Sequence, residues 1–254
     1  MPSARSIAAF LRHFSFRWLT VVPRILYRIT LSCVLDPRGA RRFIDDASDA
    51  MDFAGEDRVL GSCEVQEILP GGGDVTLKAP FYTSSVGGTC RLLELGCLAY
   101  AVKNIGAKTI FEIGTFTGRT TRVFAMNAAT GARIVTLDLP QDRVAHVVGR
   151  DFEDTPEASR IEKVSGDSAS FDYSPWHGRC DFVWIDGNHD YEYVVRDTET
   201  AVRLCRPGGW IGWHDYWHAS PTLGVTRAVR QARGRFAEIR HLRGTTIVMA
   251  RMKG

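Results

Sequence analysis

Acidic residues recur wherever an apolar run of this chain ends. "TIFEIG" carries Glu112 and Gly114, "ARIVTLD" stops at Asp138, "EKVSGD" at Asp167, "CDFVWID" at Asp186 and "GGWIGWHD" at His214 and Asp215. Carboxylates in such places can accept hydrogen bonds from ribose hydroxyls, hold a hard cation, or work beside a histidine that moves a proton. His189 follows Asp186 by three residues, and Gly114 and Gly118 bracket Thr115, Phe116 and Thr117. Glycines between a strand and a helix let backbone N–H groups approach a ligand closely, although glycine can serve packing alone.

These residues need elements to position them, and the hydrophobic periodicity supplies an alternation of strands and helices. A helix is predicted over Cys90 to Asn104, then "TIFEI" as a strand and a helix from near Gly118 to Ala129. "ARIVTLDLP", "RIEKVSGD", "CDFVWIDG" and "GGWIGWHDY" are the further strands, with helices over "DRVAHVVGRDF" and "DYEYVVRDTETAVRLC". "SPTLGVTRAVRQAR" is a last helix with Ser220 as N-cap and Pro221 at its first position. "FAEIRHLRGTTIVMARM" alternates about Arg243-Gly244 and predicts an antiparallel hairpin. The fold class is therefore α/β: a Rossmann-like, mostly parallel sheet with helices on both faces, a C-terminal antiparallel hairpin, and its ligand site at the carboxyl ends of the strands.

Asp138 lies 24 residues beyond Gly114, where a carboxylate can accept both ribose hydroxyls of a nucleoside. A dinucleotide would want G-x-G-x-x-G under its pyrophosphate, whereas this turn lacks the close first pair of glycines and has Glu112 just before it. An anion there repels a pyrophosphate and suits the ammonium of a methionine, which favours S-adenosylmethionine.

With "FEIGTFTGRTT", "TLDLP", "GDS", "WIDGNHDY" and "RPGGWIGWHDY" in order, the chain from about Gly88 to Tyr216 resembles the class I S-adenosylmethionine-dependent methyltransferases. Within them it is most similar to the macrocin/mycinamicin-type O-methyltransferases (methyltransferase domain 24) and more distantly to catechol O-methyltransferase. The resemblance implies that Glu112, Gly114, Thr115 and Gly118 hold the methionine part of the cofactor. It implies Asp138 on the ribose, and Gly166, Asp167 and Ser168 against the adenine. In metal-dependent relatives the acids ending the fourth and fifth strands bind a divalent cation, usually Mg²⁺, which assigns Asp186 and Asp215 as metal ligands. His189 takes the position of the general base and, with Asp186, forms the implied catalytic pair. Tyr216 departs from the pattern of the catechol enzymes, which have an asparagine ligand there. His214 is compatible with a ligand, a second base or a histidine at the sheet end, and the last is the reading adopted.

The chemistry asks for such parts independently. A methyl group on a sulfonium is already activated, so the enzyme must align a deprotonated hydroxyl against it. Carboxylate oxygens suit magnesium better than zinc, and a histidine can take the hydroxyl's proton near neutral pH. Trp213, Tyr216, Trp217 and His218 could stack on a sugar or aromatic acceptor, or roof the cofactor pocket. The implied reaction is O-methylation of a small molecule or glycan hydroxyl. An NAD-dependent oxidoreductase or epimerase and a non-catalytic nucleoside-binding scaffold are the alternatives.

The chain has 254 residues, 44% of them hydrophobic, and a net charge of +3, too mild for a nucleic-acid-binding face. Eight arginines and one acid fall in the first 42 residues, around an apolar stripe from Ile7 to Ile29. This predicts a basic amphipathic helical extension over 1–42 that packs on the main domain or on a second copy in a homo-oligomer, or lies on an anionic membrane surface through residues 1–30. Residues 43–87 form a connector or lid and 88–254 the cofactor-binding domain. The six cysteines lack a C-x-x-C pair and are expected to be reduced thiols in a cytoplasmic protein.

Overall fold

The computed structural model describes residues 56–78, 90–218, 220 and 222–254. The helical extension expected over 1–42, and residues 43–55 and 79–87 of the connector, lie outside the described residues. What remains of the connector forms β1 (Ser62–Cys63) and a single helical turn, α1 (Val65–Ile68). Then follow α2 (Leu92–Ile105), β2 (Thr109–Ile113), α3 (Arg119–Asn127), β3 (Arg133–Asp138) and β4 (Ile161–Ser165). The chain continues through β5 (Cys180–Ile185), α4 (Tyr191–Leu204), β6 (Cys205–Trp213), α5 (Gly224–Ala232) and the hairpin β7 (Glu238–Leu242) and β8 (Val248–Arg251).

The eight strands form one sheet in the order β1-β7-β8-β6-β5-β2-β3-β4. Strands β2 to β6 pair in parallel, and β8 runs antiparallel between β6 and β7. From β2 the chain steps outward to β3 and β4, then returns to β2's other side as β5 and moves on to β6. That reversal opens a crevice at the carboxyl ends of β2 and β5, the place where such sheets bind ligands.

Period-two alternation sorts the strand residues between the two faces. Ile110, Ile134, Phe182 and Trp184 pack with Leu95, Leu98, Val102, Val123 and Phe124 of α2 and α3. Phe111, Val135, Val183, Ile185 and Ile211 face the other way, toward Val194 and Leu204 of α4 and Val229 of α5. Helices therefore cover both faces of the sheet that carries the site.

Two predicted elements differ. "DRVAHVVGRDF" is a 3₁₀ turn over Gln141–Arg143 followed by irregular turns rather than a helix. Its backbone groups bond elsewhere: Gly149 N–H donates to Phe116 O at 3.0 Å and Asp151 N–H to Thr117 O at 2.8 Å, which fastens the segment to the glycine turn. The last helix starts at Gly224 with Leu223 as N-cap rather than after Ser220, while Pro221, expected at its first position, lies outside the described residues. A Cβ on Gly224 would fall 2.1 Å from the carbonyl oxygen of His189, so the helix begins where its backbone passes the loop after β5.

Candidate active site at the carboxyl ends of the strands

Beyond Ile113 the chain turns sharply. Gly114 has φ +101°, and a Cβ there would meet the carbonyl oxygen of Asp186 at 2.0 Å, so only glycine fits. Phe116 is held in the left-handed region at φ 49°, which aims its N–H at Asp138 Oδ2, 2.6 Å away. Leu139 N–H donates to the other oxygen at 2.7 Å, and His146 Nε2 stands 3.7 Å from Oδ2. Asp138 is thus fixed by backbone donors with its charge on the crevice side. Gly118, at φ +83°, opens α3 against the ring of Phe152.

These residues border a cavity of about 340 Å³. Its walls are Gly114 and Phe116 from the turn, Asp138 and Leu139 after β3, Gly166, Asp167 and Ser168 after β4, and Asp186 to Asn188 after β5, with Val144, His146 and Tyr193 at the rim. The volume and the mix of apolar walls with a few polar groups fit a nucleoside-sized ligand. A narrower crevice continues past Gly114, between Cys90 and Asp186 on one hand and Thr115, Thr117, Arg119 and Thr120 on the other.

Two residues expected at the methionine end are placed below the surface. Thr115 turns inward, its hydroxyl 2.7 Å from that of Thr136, although the residue still borders the narrower crevice. Glu112 is fully buried and lines neither cavity. One of its oxygens accepts hydrogen bonds from Thr121 and, at 2.6 Å, from Thr136, while Oε1 has no partner among the described residues. Burial pushes this carboxyl up to about 8, against the two threonine hydrogen bonds, so near pH 7 it carries a proton.

Beside the cavity the ends of β5 and β6 bring four titratable groups together. His189 Nε2 lies 3.1 Å from Asp215 Oδ2 and 3.9 Å from Asp186 Oδ1. His214 Nδ1 lies 3.2 Å from Asp186 Oδ1 and 3.4 Å from Asp215 Oδ2. Hydrogen bonds that His189 donates to Asp186 and Asp215 raise it to about 10 despite its partial desolvation. Burial works against a charge on His214 and on Asp215, yet their neighbours win: Cys90 and Asp186 hold His214 well above the usual imidazole range, and hydrogen bonds donated by His189 and His214 hold Asp215 below the usual carboxylate range. Asp215 also adopts φ 56°, a left-handed conformation that a short polar side chain tolerates and that is a recurrent form of strain at functional sites.

His214 is more than a histidine at the sheet end. It is 7% exposed, and its Nε2 lies 3.3 Å from Oε2 of Glu94, a residue that sequence reasoning passed over. Glu94 stands on the same stripe of α2 as the buried Leu95, Leu98 and Val102, and an acid on an apolar stripe is the signal that would have found it. Cys90 adjoins the same cluster: its thiol, Asp186 and His214 offer ligand atoms all within 4.8 Å of one another, as do Asp186, His189 and Asp215.

The aromatic platform is only partly present. Trp213 is completely buried, its Nε1–H donating to Thr198 at 3.0 Å, and Tyr216 is 1% exposed. The Tyr216 hydroxyl donates to Asp57 and accepts from Arg230 Nε at 2.9 Å, so the side chain points away from the acids and joins the hairpin side of the sheet to the connector. Trp217 and His218 are half-buried.

Comparisons with known proteins agree with this geometry. Residues 111–216 match the family Methyltransf_24, described as a methyltransferase domain. Caffeoyl-CoA O-methyltransferase 2 of Zea mays is 27% identical over 135 residues, 48% of this chain and 47% of that protein. The chain spans about half the length of the curated relatives it matches. Among solved structures, an O-methyltransferase from Bacillus cereus in complex with SAH superposes with a TM-score of 0.50 at 21% identity, over 65% of this chain and 83% of that one. The O-methyltransferase TomG from Streptomyces achromogenes, in complex with SAM, gives 0.51 at 16% identity, over 66% and 82%. Over residues 111–216 the chain is similar to a methyltransferase domain, and its sheet order and glycine turn share the fold of these solved structures.

Proposed function

We propose that the protein is an S-adenosylmethionine-dependent O-methyltransferase acting on a hydroxyl of a small molecule or glycan with the assistance of a divalent cation. The observation that carries this reading is the placement of ligand atoms of Asp186, Asp215 and His189 within 4.8 Å of one another, immediately beside the cavity that Gly114 and Asp138 border. The SAH- and SAM-bound state of the solved neighbours and the O-methyltransferase activity named for the curated relatives support it.

The cavity fits the cofactor: Gly114 lets the turn at its border close against the backbone of Asp186, and Asp138 offers a fixed carboxylate to the ribose. Gly166, Asp167 and Ser168 form the wall on which the adenine would lie, and Thr115 and Gly118 shape the turn toward the methionine. When bound, the cofactor supplies an activated methyl group and the cation lowers the pKa of the acceptor hydroxyl. Asp186 and Asp215, the residues that the resemblance pairs with magnesium, would hold that cation. His189, exposed on its acceptor side, would take the hydroxyl's proton, a contribution typically of about 10²–10⁴-fold. The two acids beside His189 are those that would hold the cation, and with their charge engaged there His189 would be free to act as the base.

Isothermal titration with S-adenosylhomocysteine tests the cofactor, and transfer of a labelled methyl to hydroxylated acceptors with and without a chelator tests the rest. Binding together with chelator-sensitive transfer supports the reading. A nicotinamide-specific thermal shift with no response to S-adenosylhomocysteine would replace it with the oxidoreductase alternative. Among the described residues no helix is long and apolar enough to cross a membrane.

A further inference from the structure

The acid pair has an inner side. Opposite His189, whose side chain is 58% exposed, Cys90 at 2% and His214 at 7% stand against Asp186 in the interior. Their ligand atoms, Cys90 Sγ, a ring nitrogen of His214 and a carboxylate oxygen of Asp186, all lie within 4.8 Å of one another, and Asp215 Oδ2 is 3.4 Å from His214 Nδ1. The spacing is that of atoms arranged around one small cation. A thiolate, an imidazole and one or two carboxylate oxygens form a mixed set that suits zinc, cobalt(II) or iron(II), whereas magnesium selects oxygen alone.

A second observation points the same way. A histidine that binds a metal through one nitrogen usually donates its other N–H to a carboxylate, which fixes the ring and its tautomer. Here Nδ1 faces the acids while Nε2 faces Glu94 Oε2 at 3.3 Å. Glu94 is in turn immobilised by Thr246 N–H and the Thr246 hydroxyl, both at 2.8 Å, by Arg91 N–H at 2.8 Å and by Arg91 Nη2 at 3.2 Å. A buried carboxylate with that many anchors, aimed at the back of a histidine whose front faces two acids, is the support a ligating histidine requires.

We infer that Cys90, His214 and Asp186 form a transition-metal site, with Glu94 as the positioning residue for His214, so that the cation at this centre is zinc-like rather than magnesium. The inference rests on the metal-assisted reading above and specifies its cation. It also gives a purpose to Cys90, which borders the crevice between Gly114 and Asp186.

Anaerobic titration of the full, chelator-stripped chain with cobalt(II) tests it, because a cysteine ligand adds a thiolate-to-cobalt charge-transfer band in the near ultraviolet to the visible ligand-field bands. The wild type should show both, Cys90→Ser should lose the charge-transfer band, and Cys97→Ser should keep it. Glu94→Gln should retain the band while cobalt affinity falls about 10–100-fold. This arm stands even if Cys90→Ser does not fold, and an unchanged affinity would remove the assigned role of Glu94. Visible bands without a thiolate band in the wild type would overturn the Cys90 site and leave metal assistance through Asp186, His189 and Asp215 intact. No cobalt binding at all, from protein that still binds S-adenosylhomocysteine, would overturn both.

Discussion

The Cα of Gly114 and the carbonyl of Asp186 are in direct backbone apposition, with no room for even one carbon between the ends of β2 and β5. The turn that would carry the cofactor and the acid that would carry the cation are therefore one rigid unit. Gly114→Ala should abolish binding of S-adenosylhomocysteine and lower stability by at least about 1–3 kcal/mol from the backbone strain alone. Gly72→Ala, in open space, should do neither. Calorimetric titration and thermal unfolding of the two variants measure both effects.

Asp138 is held by two backbone donors and needs no rearrangement to accept from a ribose. Loss of a charge-assisted hydrogen bond costs about 1.5–3 kcal/mol, so Asp138→Ala should weaken S-adenosylhomocysteine roughly 10–150-fold. Cobalt affinity, measured in the same samples, should be unchanged.

His189 is the most exposed member of the charged cluster and bonds to no cavity-wall residue other than Asp186. His189→Ala should lower kcat by about 10²–10⁴-fold and leave cofactor affinity within a factor of about 3. A matching loss of cofactor affinity would show that the side chain builds the site instead of taking the proton.

Two buried carboxyls give stability a definite pH dependence. Burial raises Glu112 from 4.5 to about 8, and raises the buried Asp197 from 3.8 to about 6 against the opposing effect of Ser168. Across those windows the folded chain keeps protons that the unfolded chain has released, so stability from these groups is full below pH 4 and declines as pH rises, until about 6 for Asp197 and 8 for Glu112. Glu112→Gln should flatten the fall in melting temperature between pH 6 and 8, and Asp197→Asn the fall between pH 4 and 6. An unchanged slope in either variant would refute the assignment for that residue.

The strands were legible in the sequence because both faces of the sheet are covered, which makes each of them a nearly unbroken apolar run ending in a polar residue, as in "CDFVWID". "DRVAHVVGRDF" misled because Val144, Val147 and Val148 recur at helical intervals, although Val147 is 51% exposed and buries nothing against the sheet. Nothing local in that segment reveals that Gly149 and Asp151 spend their N–H groups on Phe116 and Thr117. Trp213 serves neither as acceptor platform nor as roof of the cofactor pocket for a related reason: a residue at the end of a central strand alternates inward, and Thr198 waits there for its N–H. The acids of the site were visible one by one. That Glu94, 92 positions before Asp186, stands behind His214 follows only from the packing of α2 on the sheet.

The left-handed backbone of Asp215 separates two demands that most positions combine. Asparagine accepts φ 56° readily and would preserve the turn while removing the charge; glutamate would preserve the charge while resisting the turn. At this position the substitution that looks conservative by charge is the disruptive one, and any drift of the chain toward a neutral, non-metal chemistry has its lowest step through a single Asp-to-Asn exchange.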